Sequence, residues 1–135
     1  MGALAVGTVT ASAAQIAVNT SADSLEQDGH CSLREAITAA NTDQASGAML
    51  GECVAGQGAD TIVLPPGVYT LTRTGSHEDE NLKGDLDVHS DLTIQGAGAA
   101  STAIDGNASV VKAAMSDRVF DIFKAAAQPA PSVTL

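Results

Sequence analysis

Residues 31–41 (CSLREAITAAN) are patterned as an amphipathic helix inside a chain otherwise patterned for short strands. This stretch constrains the fold most, because a helix of two or three turns is marginal in water and needs a surface to lie on. Ser32 followed three residues later by Glu35 forms a capping box, in which each side chain satisfies a backbone N–H that the first turn leaves unpaired. The box starts the helix at Ser32, and the pattern runs over residues 32–42. Leu33, Ala36, Ile37 and Ala40 recur at helical spacing as one apolar stripe, while Arg34, Glu35 and Thr38 are expected to point away from it.

The surface for that stripe has to come from strands. Residues 15–20 (QIAVNT), 61–64, 68–71, 85–88, 92–95, 102–105, 118–122 and 132–135 alternate or cluster apolar residues over strand-length runs. Pro65-Pro66-Gly67 and Gly96-Ala97-Gly98 break them sharply. With no Trp, one Tyr and two Phe, the core has to be filled by Val, Ile, Leu and Ala at many positions, as in regular layered strands.

Strands this short suit either a sandwich of hairpins or a coil of parallel strands. Asp105-Gly106 is the one nearby hairpin-type turn, and no strand follows it at once. The coil explains more of the pattern. It stacks Ile62, Leu92 and Val133 on one face, Tyr69 or Leu71 over Ile104, and Leu86 or Val88 under Phe120 or Ile122. This makes about two turns and the start of a third. The expected fold is therefore mainly β, with the helix covering the exposed apolar end and unpaired edge of the first turn.

A length of 135 residues and 44% hydrophobic content suit one domain, expected over residues 15–135. Sixteen acidic against six basic residues give a formal charge of −10, which repels phosphate backbones and anionic lipid heads. Nucleic acid is excluded as a natural partner. Residues 1–14 are small, uncharged and apolar and contain Ala11-Ser12-Ala13, a pattern found before secretory cleavage sites, although the basic leading region is missing. The segment reads as part of a secretory signal, or else as a disordered or strand-like terminus. It is too short to span a bilayer.

Cys31 and Cys53 are the only cysteines. In an exported chain such a pair is most simply a disulfide, contributing about 3 kcal/mol for a loop of this size. The competing reading is two buried thiols; a zinc site lacks the ligand spacing.

Chemistry-bearing residues are sparse. Glu78, Asp79, Glu80, Asp85 and Asp87 are the candidate ligands for Ca²⁺, since Asp85 and Asp87 share a strand face and the preceding loop can fold its carboxylates toward them. A solvated acidic loop is the plainer reading. Asp105 and Asp121 are the only catalytic candidates, able to share an outer face if the stacking holds, and surface aspartates are again the plainer reading. Arg73, Lys83, Lys112, Arg118 and Lys124 fall in no recognisable catalytic pattern. His30, His77 and His89 are dispersed and expected to be exposed. No G-x-S-x-G nucleophile elbow is present.

The runs IAVNTSADSLEQDGHCSLREAITAAN, GADTIVLPPGVYTL, GDLDVHSDLTIQGAGAASTAIDGN and DRVFDI, in that order, resemble the N-terminal module of bacterial CSLREA-motif proteins. These are exported right-handed parallel β-helix proteins of the pectin-lyase-like class. The resemblance implies a helix that caps the first turn, a strand at 132–135 that opens a further turn, and a secreted or cell-surface location. It implies no activity. The expected function is a non-catalytic structural or adhesive module that requires no cofactor and self-associates through an open C-terminal strand edge. The alternatives are a polysaccharide lyase or glycoside hydrolase, or a fragment of one, and a Ca²⁺-dependent carbohydrate-binding module. Either would take a polysaccharide as partner.

Overall fold

In the computed structural model the described residues are 12–107, 118–123 and 132–135. Most of the signal-like segment, the stretch after Asn107 with Lys112, and the Ala/Pro connector with Lys124 fall outside the described residues. The chain is mainly sheet with one short helix. In order, the elements are β1 (Gln15–Ala17), α1 (Leu33–Thr42), β2 (Asp60–Val63), β3 (Gly67–Thr70), β4 (Leu86–Val88), β5 (Leu92–Gln95), β6 (Thr102–Asp105), β7 (Phe120–Ile122) and β8 (Val133–Thr134).

Every strand pairing among the described residues is parallel. One sheet has the order β1-β2-β5-β8, a second pairs β3 with β6, and a third pairs β4 with β7. Thus β2, β3 and β4 are matched in order by β5, β6 and β7, and β5 in turn by β8. From β2 onward, among the described residues no strand pairs with its successor, so those strands are not joined as hairpins.

The registers follow the apolar residues. Ile16 lies opposite Ile62 and Ile62 opposite Ile94, a ladder of three buried isoleucines. Tyr69 faces Ile104, Leu86 faces Phe120 and Val88 faces Ile122, as the spacing predicts. One expected stacking is wrong by two residues: Ile62 pairs with Ile94, and Leu92 lies opposite Asp60 and Val133. A two-residue slip keeps every side chain on its own face, so alternation in residues 61–64 and 92–95 cannot distinguish the two registers. Asp60 heads β2 in the true one. Its N–H donates to the Asp91 carbonyl (3.2 Å), while its Oδ1 accepts from the N–H groups of Ala14 (2.9 Å) and Gln57 (2.7 Å).

The capping box closes as expected: Glu35 N–H donates to Ser32 Oγ (3.1 Å) and Ser32 N–H to Glu35 Oε2 (2.8 Å). Asp43 ends α1 in the left-handed conformation. The helix packs on β1, β2 and β4 and buries Leu33, Ala36, Ile37 and Ala40, together with Ala39. Arg34 and Glu35, off the stripe, are buried as well. Two loops close over the polar side of α1, and Glu35 Oε1 accepts from Glu26 N–H (2.7 Å). A disulfide joins Cys31 to Cys53, with Cα atoms 4.7 Å apart, tying the residue before the N-cap to the loop after the helix.

Candidate functional site

Arg34 has no exposed surface, and its guanidinium fork is filled from two loops. Nε and Nη2 donate to the two carboxylate oxygens of Asp23 (2.6 and 3.2 Å). Nη2 also donates to the Gly84 carbonyl (2.8 Å) and Nη1 to the Asp85 carbonyl (2.9 Å). This is the planar, multidentate recognition that a lysine cannot reproduce. Gly84 turns that carbonyl inward at φ +71, where a Cβ would meet the Gly75 carbonyl at 2.5 Å, so no other residue fits. Burial pushes the Asp23 carboxyl up, but Arg34 and the N–H groups of Arg73 and Thr72 outweigh it and hold it below its ordinary value.

Asn81, buried at φ 60, clips the helix to strand β4. Its Nδ2 donates to the Arg34 carbonyl (2.8 Å) and to Thr38 Oγ1 (3.0 Å). Its own N–H donates to Asp87 Oδ2 (2.8 Å), and its Oδ1 accepts from Asp87 N–H (3.1 Å). From the end of the helix, Asn41 Nδ2 donates to the Asp87 carbonyl (2.8 Å), and Asn41 Oδ1 accepts from His89 N–H (2.8 Å).

An acidic cluster lies beside this clip. Asp87 on β4 stands directly opposite Asp121 on β7, and one carboxylate oxygen from each of Asp79, Asp87 and Asp121 lies within 4.8 Å of the others. Asp79 is exposed, Asp121 partly covered and Asp87 fully buried. The Oδ1 atom of Asp87 has no hydrogen-bond partner. Burial chiefly, then the charges of Asp85, Glu78 and Asp121, raise the Asp87 carboxyl to about 6, against the pull of the Asn81 N–H. Arg118 supplies positive charge at the rim, 3.2 Å from Asp121 Oδ1 and 4.0 Å from Asp85 Oδ2. His89 positions Asp79: its Nε2 meets the Asp79 carbonyl at 2.8 Å, which can only accept, so Nε2 carries the proton. The His89 ring stacks on Phe123, with centroids 4.5 Å apart.

Of the five carboxylates singled out for Ca²⁺, the structure brings Asp79 and Asp87 together and adds Asp121 from the catalytic candidates. Glu78 is occupied in shaping the loop, accepting from the N–H groups of Glu80, Leu82 and Lys83 (3.1, 3.0 and 2.9 Å). These bonds hold its carboxyl below its ordinary value although burial opposes them. Glu80 is exposed, and Asp85 is buried beside Arg118. Asp105 lies in another sheet, opposite Thr70, with its Oδ1 accepting from Asn107 N–H (2.9 Å). Arg34 and Asn81 escaped the sequence reading, since nothing in a single arginine on a helix or a single asparagine in a loop marks it as buried.

The second set of strands borders an apolar hollow of about 690 Å³, lined by Leu64, Ile94, Ile104, Phe120 and Leu135 among others. Among the described residues no helix is long and apolar enough to cross a membrane. Comparison with family models, with curated proteins and with solved structures finds no match to this chain.

Proposed function

We propose that this chain is a non-catalytic, exported scaffold module, the opening of a right-handed parallel β-helix of the CSLREA kind. In it, α1 caps the first turn and the strands behind it offer a stacking surface for association or adhesion. The observation that carries the reading is the asymmetry of the apolar surface. α1 covers β1, β2 and β4 with its stripe, its disulfide and the buried Arg34 fork, whereas Ile94, Ile104 and Phe120 of the following strands line a hollow. The right hand follows from the rule that crossovers between parallel strands of one sheet are almost always right-handed. Export is supported by the disulfide, which persists in oxidising compartments.

A second reading, a polysaccharide lyase or hydrolase, is favoured by Arg118, just before β7, lying beside Asp121 of its own segment and Asp85, just before β4. Two things weigh against it. Asp85 and Asp87 are buried, out of reach of a polymer, and a guanidinium is too weak an acid to serve as a base at neutral pH. Incubation with a panel of polyuronates and neutral polysaccharides separates the readings. The scaffold reading expects no chain cleavage. Turnover abolished by Asp121→Asn or Asp105→Asn would replace it with the enzyme.

A further inference from the structure

We propose that Asp79, Asp87 and Asp121 form a binding site for one Ca²⁺ ion, which fastens the loop before β4 to strands β4 and β7. Acidic side chains on a surface need no ion, but this cluster differs in one respect. Asp87 has no exposed surface, and its Oδ1 is left without a donor while the other carboxylate oxygen is held by Asn81 N–H. A buried carboxylate oxygen with no partner is costly unless something positive reaches it. The neighbours do not repair it. Asp121 faces Asp87 directly across the β4–β7 pair, Asp85 and Glu78 add negative charge, and Arg118 is 60% exposed and turned to Asp85 and Asp121.

The all-oxygen donor set suits a hard cation. Calcium holds oxygens at about 2.3–2.6 Å, so ligands on opposite sides of it are about 5 Å apart. The three carboxylate oxygens, within 4.8 Å of one another, are close enough for one such ion to bind all three. Magnesium demands near-ideal octahedral geometry at about 2.0–2.1 Å and gives up its water reluctantly, so side chains drawn from a loop and two strands hold it less well. The ligands are also held from behind. His89 Nε2 fixes the Asp79 backbone and stacks on Phe123, and Asn81 and Asn41 fix the Asp87 backbone and carboxylate. Such outer contacts orient the ligands of a metal site. Asp79 and Asp121 lie at the accessible side, leaving room for the water that calcium's coordination number of six to eight calls for.

Isothermal titration of the full chain with CaCl₂ tests this, alongside thermal melts with and without the ion. The expected result is one Ca²⁺ per chain and a melting point raised by about 5–10 °C at a hundredfold excess over the dissociation constant. Asp79→Asn and Asp121→Asn should each weaken binding at least tenfold, and Asp105→Asn should leave it unchanged. Asp79 is exposed, so its substitution preserves the fold, which circular dichroism checks. MgCl₂ should bind at least tenfold more weakly. No calcium binding by the folded wild type, or undiminished binding in both cluster variants, would overturn the proposal.

Discussion

Replacing Arg34 by alanine would leave the Asp23 carboxylate covered and the Gly84 and Asp85 carbonyls without their donor. Breaking a buried pair in this way costs about 3–5 kcal/mol, so the urea midpoint should fall sharply. Arg34→Lys should rescue only part, because an ammonium cannot engage both Asp23 oxygens and two carbonyls at once. Asp87 gives the opposite kind of signature. Its carboxyl titrates at about 6 in the fold against an ordinary 3.8, so between those values the native state binds more protons than the unfolded one. Its contribution to stability is therefore fully present below the ordinary value and is lost as pH rises through about 6. In calcium-free buffer the difference between wild type and Asp87→Asn should show this slope from pH 4 to pH 6, read from denaturation midpoints at each pH. A difference independent of pH would count against a raised Asp87. The burial of Arg34 was not legible: a sequence shows an arginine on the polar side of a helix, but its burial is decided by loops far away in the chain, at Asp23 and at residues 81–85.

At the level of elements, the helix carried its own instructions. Ser32 and Glu35 announced the start, and the Leu33, Ala36, Ile37, Ala40 stripe announced the covered face, because both signals are local and repeat at a fixed period. The strands were legible as strands for the same reason, since alternation in residues 61–64 and 92–95 has a period of two. Their registers were less so, because Ile62 keeps its face whether it meets Leu92 or Ile94, and a period of two cannot choose between them. The acidic cluster was half legible. Asp87 stood out beside Asp85 and the loop carboxylates, but Asp121 joins it only through the β4–β7 pairing. Two outcomes belong at this scale. Ser32→Ala removes a cap whose oxygen accepts from Glu35 N–H and should lower stability by about 1 kcal/mol. Reducing the Cys31–Cys53 bond, which closes a sequence separation of 22 residues, should lower it by about 3 kcal/mol in the chain-entropy account. Both are measured by denaturant titration, the second with and without reductant.

In the whole molecule α1 packs on β1, β2 and β4, and an apolar hollow lies among the later strands. Hydrophobic surface of that kind drives association, so sedimentation velocity should show oligomers that grow with protein concentration. Leu135→Asp and Ile104→Asp, both lining the hollow, should shift the distribution toward monomer. Oligomers unaffected by either change would place the contact elsewhere. The role of α1 as a lid is open to a more direct test, native-state amide hydrogen exchange of wild type and Ile37→Ala. Ile37 is fully buried in the core on the helix that packs against β1, β2 and β4. If the helix seals those strands, its loosening should lower protection in β1, β2 and β4 together with α1, and by more than in β6, β7 and β8. If protection falls in α1 alone while β2 and β4 exchange as in the wild type, the helix is an appendage and the capping account is wrong.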